Sequence, residues 1–335
     1  MEETGRYTAW GVDAGVRELG GLKPMLTPEE QVSLLKGKGV AFERCGEEAA
    51  IAALSERGSF LHLTSYRKLF QRHCGGPKDG MFVRLDFEDL LYLDGLDAEL
   101  RRAFLSASQD VERLAKTRVI ARASEHPDED GYGIVADFME SQDKRYRNAT
   151  ARNLAFRMGS SVDADEYTGS LIKRYCEAMP VWVFLEVVTF GTFLAFCLFC
   201  SERWGDLALR EEHYVMKGVK AVRNCCSHGS CIINGLEAGR DSDYAMSTLV
   251  FEWLKEKGVK NSRTRRKKLR NRRVQQLLET LVMFDRLHAG SGPSETCRLM
   301  SSLSEHMRQA SSRFGCQNGF VSYLDFLAAL IDKAV

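Results

Sequence analysis

Residues 217–231 read KGVKAVRNCCSHGSC and bring together an arginine, an asparagine, a histidine and three cysteines. Three chemistries compete for this stretch. In the first, His228 exchanges a proton near neutral pH as a general acid or base. Arg223 grips a phosphate through paired hydrogen bonds and offsets the charge that builds on it. Asn224, one helical turn before the histidine, orients the ring or a phosphate oxygen. That set suits RNA cleavage, because RNA supplies its own 2′-OH nucleophile and needs neither a protein nucleophile nor a metal. Spacing alone does not separate this from a solvated histidine beside a solvated arginine. In the second, Cys225, His228 and Cys231 hold zinc, with Cys197 or Cys200 as a fourth ligand. The stretch lacks the matched C-x2-C pairs of common zinc modules, and two of those ligands would come from an apolar segment. The third, a regulatory disulfide, is disfavoured in a reducing compartment.

The elements that carry these residues narrow the choice. The spacing predicts a helix over 207–228. Val215, Val219, Val222 and Cys226 then fall on one apolar stripe. Lys217, Lys220, Asn224 and His228 fall on a second, polar stripe, with Arg223 and Ser227 beside it. Cys226 belongs to the core side, where a cysteine behaves as a small hydrophobe. Cys225 points elsewhere, so the adjacent pair is poorly placed to share a metal.

Upstream, VWVFLEVVTFGTFLAFCLFC (181–200) is about long enough to cross a bilayer. Glu186, Thr189, Gly191 and Thr192 interrupt it, and Pro180 suits a helix start. We read it as one buried core helix rather than a membrane span. Residues 86–125 are helical in period, with Leu90, Leu93, Leu100, Phe104, Val111, Leu114 and Ile120 near one face and Gly95 as a point where the helix could split. Further helices are expected over 27–39, 47–58, 65–76, 147–159, 165–179, 294–314 and 321–334. Residues 1–26 and 229–246 read as irregular.

The 335-residue chain carries a formal charge of +1, so global charge says nothing about partners. Its ten cysteines are scattered, and its N-terminus lacks the basic and apolar regions of a signal peptide, which points to reduced thiols in the cytoplasm. One local run stands out. KNSRTRRKKLRNRR (260–273) holds nine Lys or Arg and no acid, and leads into a helix ending near 288. Arg263, Arg265, Arg266, Lys267, Lys268, Arg270, Arg272 and Arg273 are candidates for phosphate contacts, as are Lys217 and Lys220. Such contacts give affinity and salt dependence with little reading of base sequence.

RNCCSH (223–228) resembles the R-N-x3-H motif of HEPN-domain ribonucleases. Other segments, in matching order, are similar to Abi-type abortive infection proteins of bacteria: LLKGKGVAFE (34–43), LTSYRKLFQRH (63–73), FEDLLYLDGLDAELRRAFLSASQDVERLAKTRV (87–119), MPVWVFLEVVTFGTF (179–193) and GFVSYLDFLAAL (319–330). The resemblance covers roughly 30–335 at low identity. It implies an all-α HEPN-like helical bundle, a core role for the P-x-W…FG segment, and Arg223, Asn224 and His228 as the catalytic set. It also implies a homodimer whose paired motifs form a composite site. The sequence departs from the pattern after the motif. Gly229 replaces a second histidine, Cys231 stands where arginine is usual and Ile233 replaces a tryptophan, while Asn234 is retained.

The expected organisation is an irregular segment 1–26, a HEPN-like Abi helical domain 27–235 and a basic helical region 236–335. The expected activity is that of a cytoplasmic, toxin-like endoribonuclease in phage defence. It needs no metal or cofactor and makes no membrane contact. RNA is its substrate and, as a non-coding RNA, a regulator. The alternative is a non-catalytic RNA-binding protein on the same fold that forms a ribonucleoprotein.

Overall fold

The computed structural model describes residues 25–159, 165–237, 241–243, 245–289, 292, 294–315 and 318–335. Residues 1–24 of the irregular N-terminal segment lie outside them. The described residues form fifteen α-helices and no strand, with β-pairing limited to three isolated bridges, so the fold is all-α.

The chain divides into two compact units, one comprising the described part of 1–64 with 71–90, the other 65–70 with 91–335. The first unit opens with α1 (Pro28–Gly37), started by a capping box in which Thr27 and Glu30 each accept from the other's backbone N–H. Next come α2 (Glu47–Ala52), one π-helical turn over Ala53–Arg57 and α3 (Phe60–Leu63). The helix expected over 65–76 does not form. A 3-10 turn spans Thr64–Leu69, most of it counted with the second unit, and Arg72 of the first unit then forms an isolated antiparallel bridge with Phe82. The N–H groups of Val83 and His73 bond across to Gln71 and Met81. Gly75 and Gly76, at φ 79° and 76°, turn the chain between these partners, a conformation glycine takes without strain.

In the second unit, α4 (Phe87–Glu125) is the longest element. Its first residues belong to the first unit, and it runs unbroken past Gly95 because Leu93, Leu96 and Leu100 are buried on either side of that glycine. After α5 (Gly133–Ser141), α6 (Lys144–Met158) and α7 (Gly169–Arg174), the apolar stretch forms two helices, α8 (Val181–Val187) and α9 (Phe190–Arg203). Val188 is extended, and the Thr189 side chain accepts from the Thr192 N–H to start α9. Phe138, Phe184 and Phe196 pack together there with ring centroids 5.2–5.8 Å apart. Each such buried ring contributes about 2–3 kcal/mol of apolar burial. Among the described residues no helix is long and apolar enough to cross a membrane.

The remaining helices are α10 (Leu207–Ser227), α11 (Thr248–Glu256), α12 (Arg263–Arg270), α13 (Arg272–His288), α14 (Glu295–Phe314) and α15 (Gly319–Ala334). α10 packs on α9 and α13, and α14 pairs with α15. Gly218, in the middle of α10, admits the Glu279 side chain of α13, since a Cβ there would lie 1.6 Å from a carboxylate oxygen. The second unit therefore continues across 235/236, with residues on both sides of that position sharing one core.

Candidate functional site

α10 carries the arginine, the asparagine and two of the three cysteines of the 217–231 stretch. Val215, Val219, Val222 and Cys226 are 1%, 0%, 4% and 7% exposed, the stripe that helical phase predicts. On the other side, Lys217 is exposed, with its ammonium 4.8 Å from the centre of the Tyr214 ring. Lys220 is half-buried over Gly191, where a Cβ would come within 2.9 Å of its nitrogen.

Arg223 and Asn224 are both half-buried and in contact, the Arg223 Nη1 donating to Asn224 Oδ1 at 3.1 Å. Arg223 also lines a 330 Å³ cavity with Glu112 and Lys116 of α4 and Trp182 and Glu186 of α8. His228 is the C-cap of α10. Its N–H donates to the Asn224 carbonyl at 3.0 Å and its side chain is exposed. Among the described residues no hydrogen bond reaches the His228 ring. The structure thus joins Arg223 to Asn224 and sets the imidazole at the open end of the same helix.

The cysteines are poorly suited to act. Burial pushes the Cys225 thiol up, the Cys226 thiol up to about 12 and the Cys231 thiol up to about 11. Reactive cysteines have lowered values, because the thiolate is the nucleophile and the metal ligand. The cysteines among the described residues are free, and no three His, Cys, Asp or Glu side chains there converge as a metal site.

The loop after His228 is held from two sides, by residues that belong to no catalytic motif. Asp97 of α4 is fully buried. Its carboxylate accepts from the N–H groups of Ile232 and Ile233, at 3.1 and 2.9 Å, and from the Tyr66 hydroxyl at 3.1 Å, and it pairs with Arg101. Burial pushes this carboxyl up, and the two N–H donors and the Arg101 charge act against that. From the other side, Arg273 Nη1 donates to the carbonyls of Cys231 and Ile232 and to Asn234 Oδ1, each at 2.9 Å. Gly235 leaves room for this, since a Cβ would fall 2.3 Å from the guanidinium carbon. Asn271 Nδ2 donates to the carbonyls of Gly235 and Leu236, and its Oδ1 caps α13. The sequence holds one signal for this anchor: Tyr66, Asp97 and Arg101 lie within two of the segments that carry the Abi resemblance.

The basic run divides by direction. Arg263, Arg266, Lys267 and Arg270 are exposed, and Arg265 is half-exposed. Lys268 turns inward, its ammonium donating to the Ser322 carbonyl and lying 5.3 Å from the Tyr323 ring centre. Arg272 is half-buried and 3.6 Å from Glu279, and Arg273 clamps the loop. A second cationic helix is less conspicuous in the sequence: α6 has no acidic residue and buries none of its side chains.

The all-α fold defines a broad class that sequence comparison narrows. The model of the Abi-like protein family matches residues 54–234, over half the chain, and the chain belongs to that family. No curated protein and no solved structure matches it.

Proposed function

We propose that this Abi-like protein is a metal-independent endoribonuclease of the HEPN type that acts in the cytoplasm in phage defence by abortive infection. His228 takes the proton from a ribose 2′-OH, and the 2′-oxygen attacks the adjacent phosphorus. Arg223 holds the non-bridging oxygens, and Asn224 orients the arginine and the phosphate. The 5′-oxygen leaves and takes a proton from solvent, giving one product with a 2′,3′-cyclic phosphate and one with a 5′-OH. A homodimer brings two such sets to a composite site, and a bound non-coding RNA regulates it.

The observation that carries this reading is the Arg223–Asn224 contact one turn before an exposed His228, on a helix whose own thiols are held protonated. The loop that follows is fixed by Asp97 and Arg273, so the end of the helix is a defined position rather than a frayed terminus.

A second reading, a non-catalytic RNA-binding protein, draws on the exposed cations of α12 and on the His228 ring, which has no hydrogen-bond partner among the described residues. Incubating purified protein with RNA in EDTA separates the two. Cleavage with 2′,3′-cyclic phosphate ends, abolished in His228→Ala, supports the first. Undiminished cleavage by that variant, or cleavage that stops on adding EDTA, contradicts it. Binding without cleavage selects the second.

A further inference from the structure

α11 and α12 enclose a cavity of 830 Å³, separate from the residues around Arg223. Pockets that take small-molecule ligands fall in this size range. Its floor is apolar, built by Leu254 and Leu269, which are 6% and 8% exposed. Five of its lining side chains are Lys or Arg and none is acidic. Phe251, which also lines it, is 54% exposed, so one large aromatic ring stands open at the wall. Gln275 is buried, at 6% exposure, yet lines the cavity. Its carbonyl oxygen lies 3.5 Å from an Arg272 nitrogen.

These groups match one ligand chemistry. An open aromatic ring offers a stacking surface to a planar heterocycle, and stacking works for any base. A side-chain amide in the lining can pair with a base edge. Guanidinium groups at the mouth grip phosphate. A fatty acyl chain would use the floor but would leave most of the five Lys and Arg side chains of the lining unengaged.

The surroundings favour a strand over a free nucleotide. A second cavity of 780 Å³ adjoins the first and shares Arg266 and Arg270 with it. It is lined further by Arg263, Thr264 and Lys267, with Asp241 as its one acid. Cationic surface therefore continues past the pocket mouth, where the phosphates flanking an inserted base would run. We infer that the α11–α12 pocket takes one unpaired base of a bound RNA strand, stacked on Phe251 and read by Gln275, with Arg266 and Arg270 on its phosphates. This rests on RNA being the partner, as proposed above, but not on cleavage.

The test is a binding titration of the full-length protein with short, labelled, single-stranded 2′-O-methyl RNA, whose blocked 2′-oxygen cannot be the cleaving nucleophile. An abasic strand of equal length and the four nucleoside monophosphates serve as comparators. The normal strand is expected to bind about 10-fold tighter than the abasic one. Phe251→Ala, at an exposed site, is expected to erase that preference while leaving the melting temperature unchanged. Equal binding of both strands, or a preference that survives Phe251→Ala and Gln275→Ala, overturns the pocket while the RNA reading stands. Monophosphates that match the strand in affinity overturn the commitment to a strand. If no strand binds, both the pocket and the RNA reading fall.

Discussion

Around the loop that ends α10, Asp97 and Arg273 face inward and have partners; along α12, the charged groups other than Lys268 face outward or lie half-exposed. Asp97 meets Arg101, the Tyr66 hydroxyl and two backbone N–H groups, and Arg273 meets three oxygens. Arg263, Arg266, Lys267 and Arg270 stand in solvent around two cavities. One residue type stands in two settings within a single short run: Arg273 fixes a loop, whereas Arg266 and Arg270 face solvent. Counting charge in a run cannot separate these settings, since only direction distinguishes them.

The comparison can be broken first at Asp97. Asp97→Ala strands the Arg101 charge and two buried N–H groups, and is expected to cost about 3–5 kcal/mol of stability, seen as a lower Tm or denaturant midpoint. A change within about 0.5 kcal/mol, the surface norm, would show that the loop is not anchored there. Glu279, beneath Gly218, is expected to matter next. Burial pushes its carboxyl up to about 7, with the Arg272 charge opposing. The folded state then holds a proton that the unfolded chain has already lost, so stability falls as pH rises from about 4.5 through 7 and is lowest above that. Glu279→Gln is expected to flatten this dependence and to raise stability at pH 8 by about 2–3 kcal/mol, measured by denaturation across pH.

Arg273→Lys should cost about 1.5–3 kcal/mol, since Nη1 alone donates to Cys231, Ile232 and Asn234 and the shorter lysine side chain stops short of its position. Arg266→Ala with Arg270→Ala is the opposite case. Stability is expected to stay within about 0.5 kcal/mol, while the slope of log affinity for single-stranded RNA against log salt becomes shallower by roughly 1.4. A stability loss equal to that of Arg273→Lys would erase the distinction between the two regions.

The phase of α10 is legible in the sequence, because 3.6-residue periodicity separates Val215, Val219, Val222 and Cys226 from the polar stripe. The break in the apolar stretch is not legible. A segment apolar on all sides carries no period, and the Thr189 cap is a local bond that outweighs continuity. Asn271 likewise divides the basic run into α12 and α13 by capping the second, where the charge pattern suggests one continuous helix. α11 is a short amphipathic piece, overshadowed in the sequence by the charge run beside it. Asp97 and Asn271 cannot be assigned roles from one sequence, since the loop groups they bind lie 35 residues or more away in the chain.

The proposed division of labour puts chemistry at the end of α10 and affinity along α12. Steady-state cleavage of a single-stranded RNA in EDTA tests it most directly, using wild type, His228→Ala and the Arg266→Ala, Arg270→Ala double variant. His228→Ala is expected to lower kcat on the order of 100- to 10,000-fold with KM nearly unchanged, and the double variant to raise KM with kcat nearly unchanged. A full kcat in His228→Ala, or a double variant whose loss lies in kcat alone, would contradict the account.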